Sequence, residues 1–203
     1  MTAIAFDVHP GVAMVRKWSD ELPTKTGRTL DQWADLVRRC GRSTLKDRAA
    51  WLKEQHGMGS NTAWWIAEYA ADAATWDGDP DVYLRNAAAH VGGMFAGAKA
   101  GLRPIFETLV AAARELGGDV KVCPCKTIVP FYRNHVFAQV KPATKTRLEF
   151  ALAIGDRKPT GKLKPNPRAK GNDRLTHLFE LTAEKDVTAE VRKWLKVAYD
   201  ADA

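Results

Sequence analysis

The spacing of apolar residues changes at Gly117-Gly118, and that change constrains the fold more than any motif does. Before this pair, apolar side chains recur every three or four positions, the period of a helix with one buried face. After it they alternate. Leu148, Phe150, Leu152 and Ile154 take one side, and Arg147, Glu149, Ala151 and Ala153 the other, as in a strand lying on a core. From Thr188 the helical spacing returns, with Val191, Leu195 and Ala198 facing inward. Helices, an antiparallel sheet and a closing helix make an α+β arrangement.

The helical half divides at recognisable caps. His9-Pro10 opens a first helix, expected to fade by Leu22-Pro23. Thr29 caps a second, carrying Leu30, Trp33, Leu36 and Val37. Ser43 or Thr44 caps a third, with Leu45, Ala49 and Leu52, and Gly57 ends it. Ser60 or Asn61 caps a fourth, with Trp64, Trp65, Ile66 and Tyr69. Trp76-Asp77-Gly78-Asp79-Pro80 is the clearest break. Pro80 begins a helix to about His90, which Gly92-Gly93 is expected to interrupt before a run of small residues. The division is thus a helical domain over 1–77, a connector over 78–100 and an α+β domain over 101–203. The last holds a helix over 104–116 and a sheet of four to five strands, over 120–123, 127–132, 136–141, 147–154 and 175–181. Flanking helices on both sides of the sheet segment in the sequence cover it.

No apolar run reaches the ~20 residues that cross a bilayer. Met1 to Pro10 lacks the basic-then-apolar order of a signal peptide, and three cysteines make no disulfide framework. A cytoplasmic protein without membrane contact is the expectation. The formal net charge is +7, and its placement says more. Residues 120–177 hold thirteen basic and three acidic side chains, whereas residues 60–119 hold four and eight. A basic excess confined to one segment points to an anionic partner, DNA or RNA above all.

Two places are candidates for that contact. Lys126, Arg133, Lys141, Lys145 and Arg147 flank or lie on three successive strands, with Phe131, Tyr132 and Phe137 available for stacking on bases. The structural alternative makes these aromatics core and the charges protection for a sheet edge. The other place is the corner Gly57-Met58-Gly59-Ser60-Asn61, where free amides at a helix start can hold a phosphate. His177 falls on the apolar side of its strand beside Phe179. It is either a satisfied core histidine or a pocket for a small acidic metabolite together with Arg147 and Lys126. No nucleophile or carboxylate dyad accompanies it, so the expectation leans away from catalysis, with a binding protein or an enzyme for that metabolite as the alternative readings of the pocket. Cys123-Pro124-Cys125 has the wrong spacing for zinc; neither a metal nor a cofactor is expected. A third reading, a protein-interaction module, requires an exposed stripe near Val82, Val91 and Phe95.

The corner from Gly57 through Thr62-Ala63 to Ile66 resembles the helix-hairpin-helix element, whose amides bind the DNA backbone without reading bases. His56 stands where that element often has proline. The chain as a whole resembles an uncharacterised bacterial two-domain family, each half a domain of unknown function, relatives of which carry the label predicted transport protein. The helical half carries it in Lys25-Thr26-Gly27-Arg28-Thr29, Trp51-Leu52-Lys53 and Gly57-Met58-Gly59. The second half carries it in Val122-Cys123-Pro124, Phe137-Ala138-Gln139-Val140, Pro142 to Leu148, and Thr176-His177. That resemblance implies the two-part architecture and no activity. Element order in the second half is also similar to frataxin-like domains, whose acidic surfaces bind iron; this surface is basic.

Overall fold

A computed structural model describes residues 4–71 and 78–203. Trp76 and Asp77 of the expected break lie outside the described residues. The chain forms two compact units: a helical one over Pro10–Tyr83, and an α+β one combining residues 4–9 with Leu84–Ala203.

The helical unit contains α1 (Pro10–Thr26), α2 (Leu30–Arg38), α3 (Leu45–His56) and α4 (Ser60–Ala70). α1 does not fade at Pro23. A proline removes one donor near a helix end, and the Thr26 hydroxyl and Gly27 amide still bond the Leu22 and Pro23 carbonyls at 2.7 and 2.8 Å. Thr29 caps α2 reciprocally: its hydroxyl accepts from the Gln32 amide, and the Gln32 side chain accepts from the Thr29 amide. Thr44, rather than Ser43, caps α3. Trp33, Val37, Leu52, Trp65 and Ile66 form the core. Trp64, expected among them, is 44 % exposed and donates its indole N–H to Glu68 one turn on.

The α+β unit takes up most of α5 (Pro80–Met94), a 3₁₀ turn at Gly97–Leu102, and α6 (Arg103–Arg114). Gly92-Gly93 does not interrupt α5. Each interior glycine costs about 1 kcal/mol relative to alanine, and burial of Val91, Met94 and Phe95 in the α+β core offsets it. The stripe required of an interaction module is therefore absent at Val91 and Phe95, which are 2 % and 4 % exposed. The 84–100 stretch belongs to the second unit rather than joining two domains.

The strands are β1 (Lys121–Val122), β2 (Val129–Tyr132), β3 (Val136–Pro142), β4 (Leu148–Leu152), β5 (Lys164–Pro165) and β6 (His177–Leu181), followed by α7 (Ala189–Asp200). Every pairing is antiparallel, in the order β1-β2-β3-β4-β6-β5. β5 was not expected: two exposed residues on an edge leave no alternation to read. The inner face presents Phe131, Val140, Phe150 and Phe179 to a core completed by Ile105, Phe106 and Leu109 of α6 and Val191 and Leu195 of α7. A bulge at Phe131/Tyr132 lets Phe137 and Ala138 both enter that core.

β4 is buried on both faces. Glu149 and Ala151, on the outer side, are 5 % and 6 % exposed because residues 166–175 fold back over that face as a strap. The Asn166 amide and side chain close its base on the carbonyls of Thr176 and Leu175, at 2.8 and 2.9 Å.

Candidate functional site

The helical corner is built from a Schellman ending followed by a new helix. Gly57 adopts φ +63°, and its amide and that of Met58 turn back to the Lys53 and Leu52 carbonyls. Gly59 is the N-cap of α4 and supplies no side-chain cap bond. Ser60 and Asn61, expected as caps, are the first two residues of the helix. His56 is held edge-on by Trp33 and Trp51, at 4.8 and 4.7 Å between ring centroids. Gly57, Gly59 and Lys25 border a small hollow here, but Lys25 is paired with Glu21 at 2.6 Å.

The five sheet cations separate into three kinds. Arg133 is immobilised: it bonds Asp119 at 2.8 Å and lies 4.3 Å over the Tyr199 ring. Hydrogen bonds from Tyr199 and from Arg133 hold the Asp119 carboxyl below its ordinary range. Arg147 reaches Glu180 at 3.0 Å and Glu149 at 3.7 Å, and Lys164 bonds Glu180 from the other side at 2.5 Å. The Lys164 hydrogen bond, then the charge of Arg147, keeps Glu180 ionised to lower pH than usual. These two arginines are occupied. Lys145 sits exposed in the β3–β4 turn.

Lys126 and Lys141 behave differently. With Lys99 they border one hollow, which His90, Gly93 and Thr127 also line. Among the described residues, no aspartate or glutamate lines it. Lys99 donates to the Pro142 carbonyl at 2.8 Å, which leaves its charge uncompensated. Partial burial, with the nearby Lys126 charge second, lowers the His90 pKa from its usual value. Three lysines from the 3₁₀ turn, the β1–β2 loop and β3 thus border one depression. Lys99 and His90 escaped the sequence reading because both stood in a stretch taken for a connector.

His177 stands elsewhere. Its ring contacts the Thr176 hydroxyl at 2.9 Å, and burial lowers its pKa. Its β6 neighbour Leu178, on the opposite face, lines the groove beneath the strap. His177 pairs with Leu152, at the opposite end of the β4–β6 pair from Arg147, and Lys126 lines the lysine hollow, which neither of them lines.

That groove is the other well-formed depression. Lys141, Gln139, Glu149, Arg168 and Arg174 supply its polar wall. Arg168 pairs with Glu149 through a short hydrogen bond. Arg174 meets the buried Asp202 at 2.6 Å, and Asp202 also accepts from the His135 amide at 2.7 Å. The strap is thereby pinned at two points.

A domain model described as a domain of unknown function, DUF5655, matches residues 91–202. The chain belongs to the DUF5655 family. A second domain model of unknown function, DUF4287, matches residues 15–71 in the helical unit. No curated protein and no solved structure matches the chain. Both the lysine hollow and the strap groove lie within the DUF5655 match, apart from two hollow-lining residues at its edge, Ala89 and His90.

Cys123 and Cys125 are thiols, pushed up to about 12 and about 11 chiefly by burial. Nearby, His9 meets the Tyr132 hydroxyl at 3.0 Å, and burial lowers the His9 pKa to about 4. Thiols this hard to ionise are poor nucleophiles. Among the described residues, no group of three or more His, Cys, Asp or Glu is placed to hold a metal ion. No helix among them is long and apolar enough to cross a membrane.

Proposed function

We propose that this protein is a cytoplasmic anion-binding protein whose ligand carries phosphate groups, taken up by Lys99, Lys126 and Lys141. The observation behind this reading is the lysine hollow itself: three cations from separate elements, a hydroxyl at Thr127 and no carboxylate in the lining. Uncompensated ammonium groups around one depression repel each other, and a phosphate relieves that repulsion. Reduced thiols at Cys40, Cys123 and Cys125 suit the cytoplasm. The ligand is nucleic acid, DNA or RNA, gripped through its backbone. Arg133 and Arg147 do not take part, because each already has a carboxylate.

Fluorescence anisotropy of labelled single- and double-stranded oligonucleotides across a salt series tests this. Three phosphate contacts give a log–log salt slope of about −3 on duplex DNA, and pyrophosphate competes. Competition by pyrophosphate without oligonucleotide binding moves the ligand to a free phosphate compound. Binding that ignores both salt and pyrophosphate refutes the reading.

A further inference from the structure

We infer that the groove beneath the strap is a second ligand site, made for a small monocarboxylate with an apolar body. Its volume of about 410 Å³ lies within the ~300–1,000 Å³ of small-molecule sites. The charge arrangement selects the ligand. Arg168 is matched by Glu149 and Arg174 by Asp202, and Asp173 is exposed and takes the Lys170 amide within the strap. On the sheet itself Lys141 is the cation left over, and it borders this groove as well as the lysine hollow. One ammonium suits one carboxylate; three suit a phosphate.

The neutral wall points the same way. Gln139 shares the outer face of β3 with Lys141, and Asn172 faces both from the strap. Neither amide makes a side-chain hydrogen bond among the described residues, so both can accept a ligand's polar groups. Ile128, Val136, Ala151 and Leu178 form an apolar floor between them. Inorganic anions gain nothing from that floor. An acid with an alkyl or aryl body gains about 25 cal/mol for each Å² it buries.

Hexanoate and phenylacetate are the probes, with acetate and phenylacetamide as controls, titrated into the full chain and followed by backbone amide NMR. Hexanoate and phenylacetate should shift resonances of residues 136–141, 149–151 and 172–178, and both controls should bind about tenfold more weakly. Ala151→Met, which fills the floor, should abolish these shifts and leave pyrophosphate binding intact. Lys126→Ala should do the reverse, so failure of this site and failure of the phosphate reading are separable. If Ala151→Met disturbs the fold, Gln139→Leu removes the amide at a half-exposed position and should weaken both probes. Equal binding of acetate and hexanoate, or shifts untouched by Ala151→Met, would overturn the inference, as would the absence of any saturable shift at millimolar probe.

Discussion

The lysine hollow and the strap groove share Lys141 and differ in how their charges are settled. Among the described residues the hollow is lined by cations and no carboxylate, although Glu149 stands across the strand pair from Lys141. In the groove, each arginine has found a carboxylate, and those carboxylates are themselves buried: Glu149 is 5 % exposed and Asp202 4 %. The strap arginines are therefore quieter than Lys126 and Lys141, which belong to the same basic segment. Arg168 and Arg174 of the strap are consumed in holding it down, whereas Lys99, from a stretch of small residues, remains available. Charge density along a chain is evidence for a ligand only after the ion pairs of the fold have been subtracted.

Removing the uncompensated charges should have the largest effect. Three lysine contacts at about 1 kcal/mol each correspond to about a hundredfold in affinity. The combined Lys99→Ala, Lys126→Ala and Lys141→Ala protein should lose that much pyrophosphate binding by calorimetry at low salt. A loss under about fivefold would erase the distinction between the two depressions. Next comes the compensated side. Glu149→Leu leaves Arg147 and Arg168 without their shared carboxylate, and should cost about 2 kcal/mol in urea unfolding, with pyrophosphate affinity unchanged.

The architecture was legible where local pattern and long-range packing agree. Leu148, Phe150 and Leu152 alternate because β4 lies on a single core face. Thr29 and Thr44 cap because each hydroxyl accepts from the amide three residues on, and Thr44 also donates to the Asp47 carboxylate at 2.7 Å. The outer face of β4 was not legible. Glu149 and Ala151 look like solvent positions, and only the return of residues 166–175 buries them. The same return pins Arg168 and Arg174 to carboxylates far away in the sequence. At the candidate site, Lys126 and Lys141 were visible, but their separation from Arg133 and Arg147 depends on Asp119, Glu180 and Tyr199. Those partners lie 14 to 66 positions away along the chain, beyond any local spacing rule.

Acidity should sharpen the comparison by a smaller amount. His90 lines the hollow, and its pKa is depressed in the free protein. A bound phosphate favours the imidazolium, so on acidification pyrophosphate affinity should fall less in the native chain than in His90→Gln, by about threefold for one added surface charge pair, set against the protonation of pyrophosphate itself. The groove has no histidine in its lining, so carboxylate binding should stay level until the probe itself is protonated. The smallest effect belongs to the occupied arginines: Arg133→Ala and Arg147→Ala should each alter oligonucleotide affinity by less than about twofold, read by anisotropy. A larger loss at either would return the sheet surface to the binding site.

The most direct measurement is a backbone amide NMR titration of the intact chain with pyrophosphate at low ionic strength. Saturable shifts confined to residues 89–99, 126–127 and 141–143 are the predicted result. Shifts centred on Gly57–Asn61 or on Arg133, or no saturation at all, would contradict the claim that the three unpaired lysines form the site.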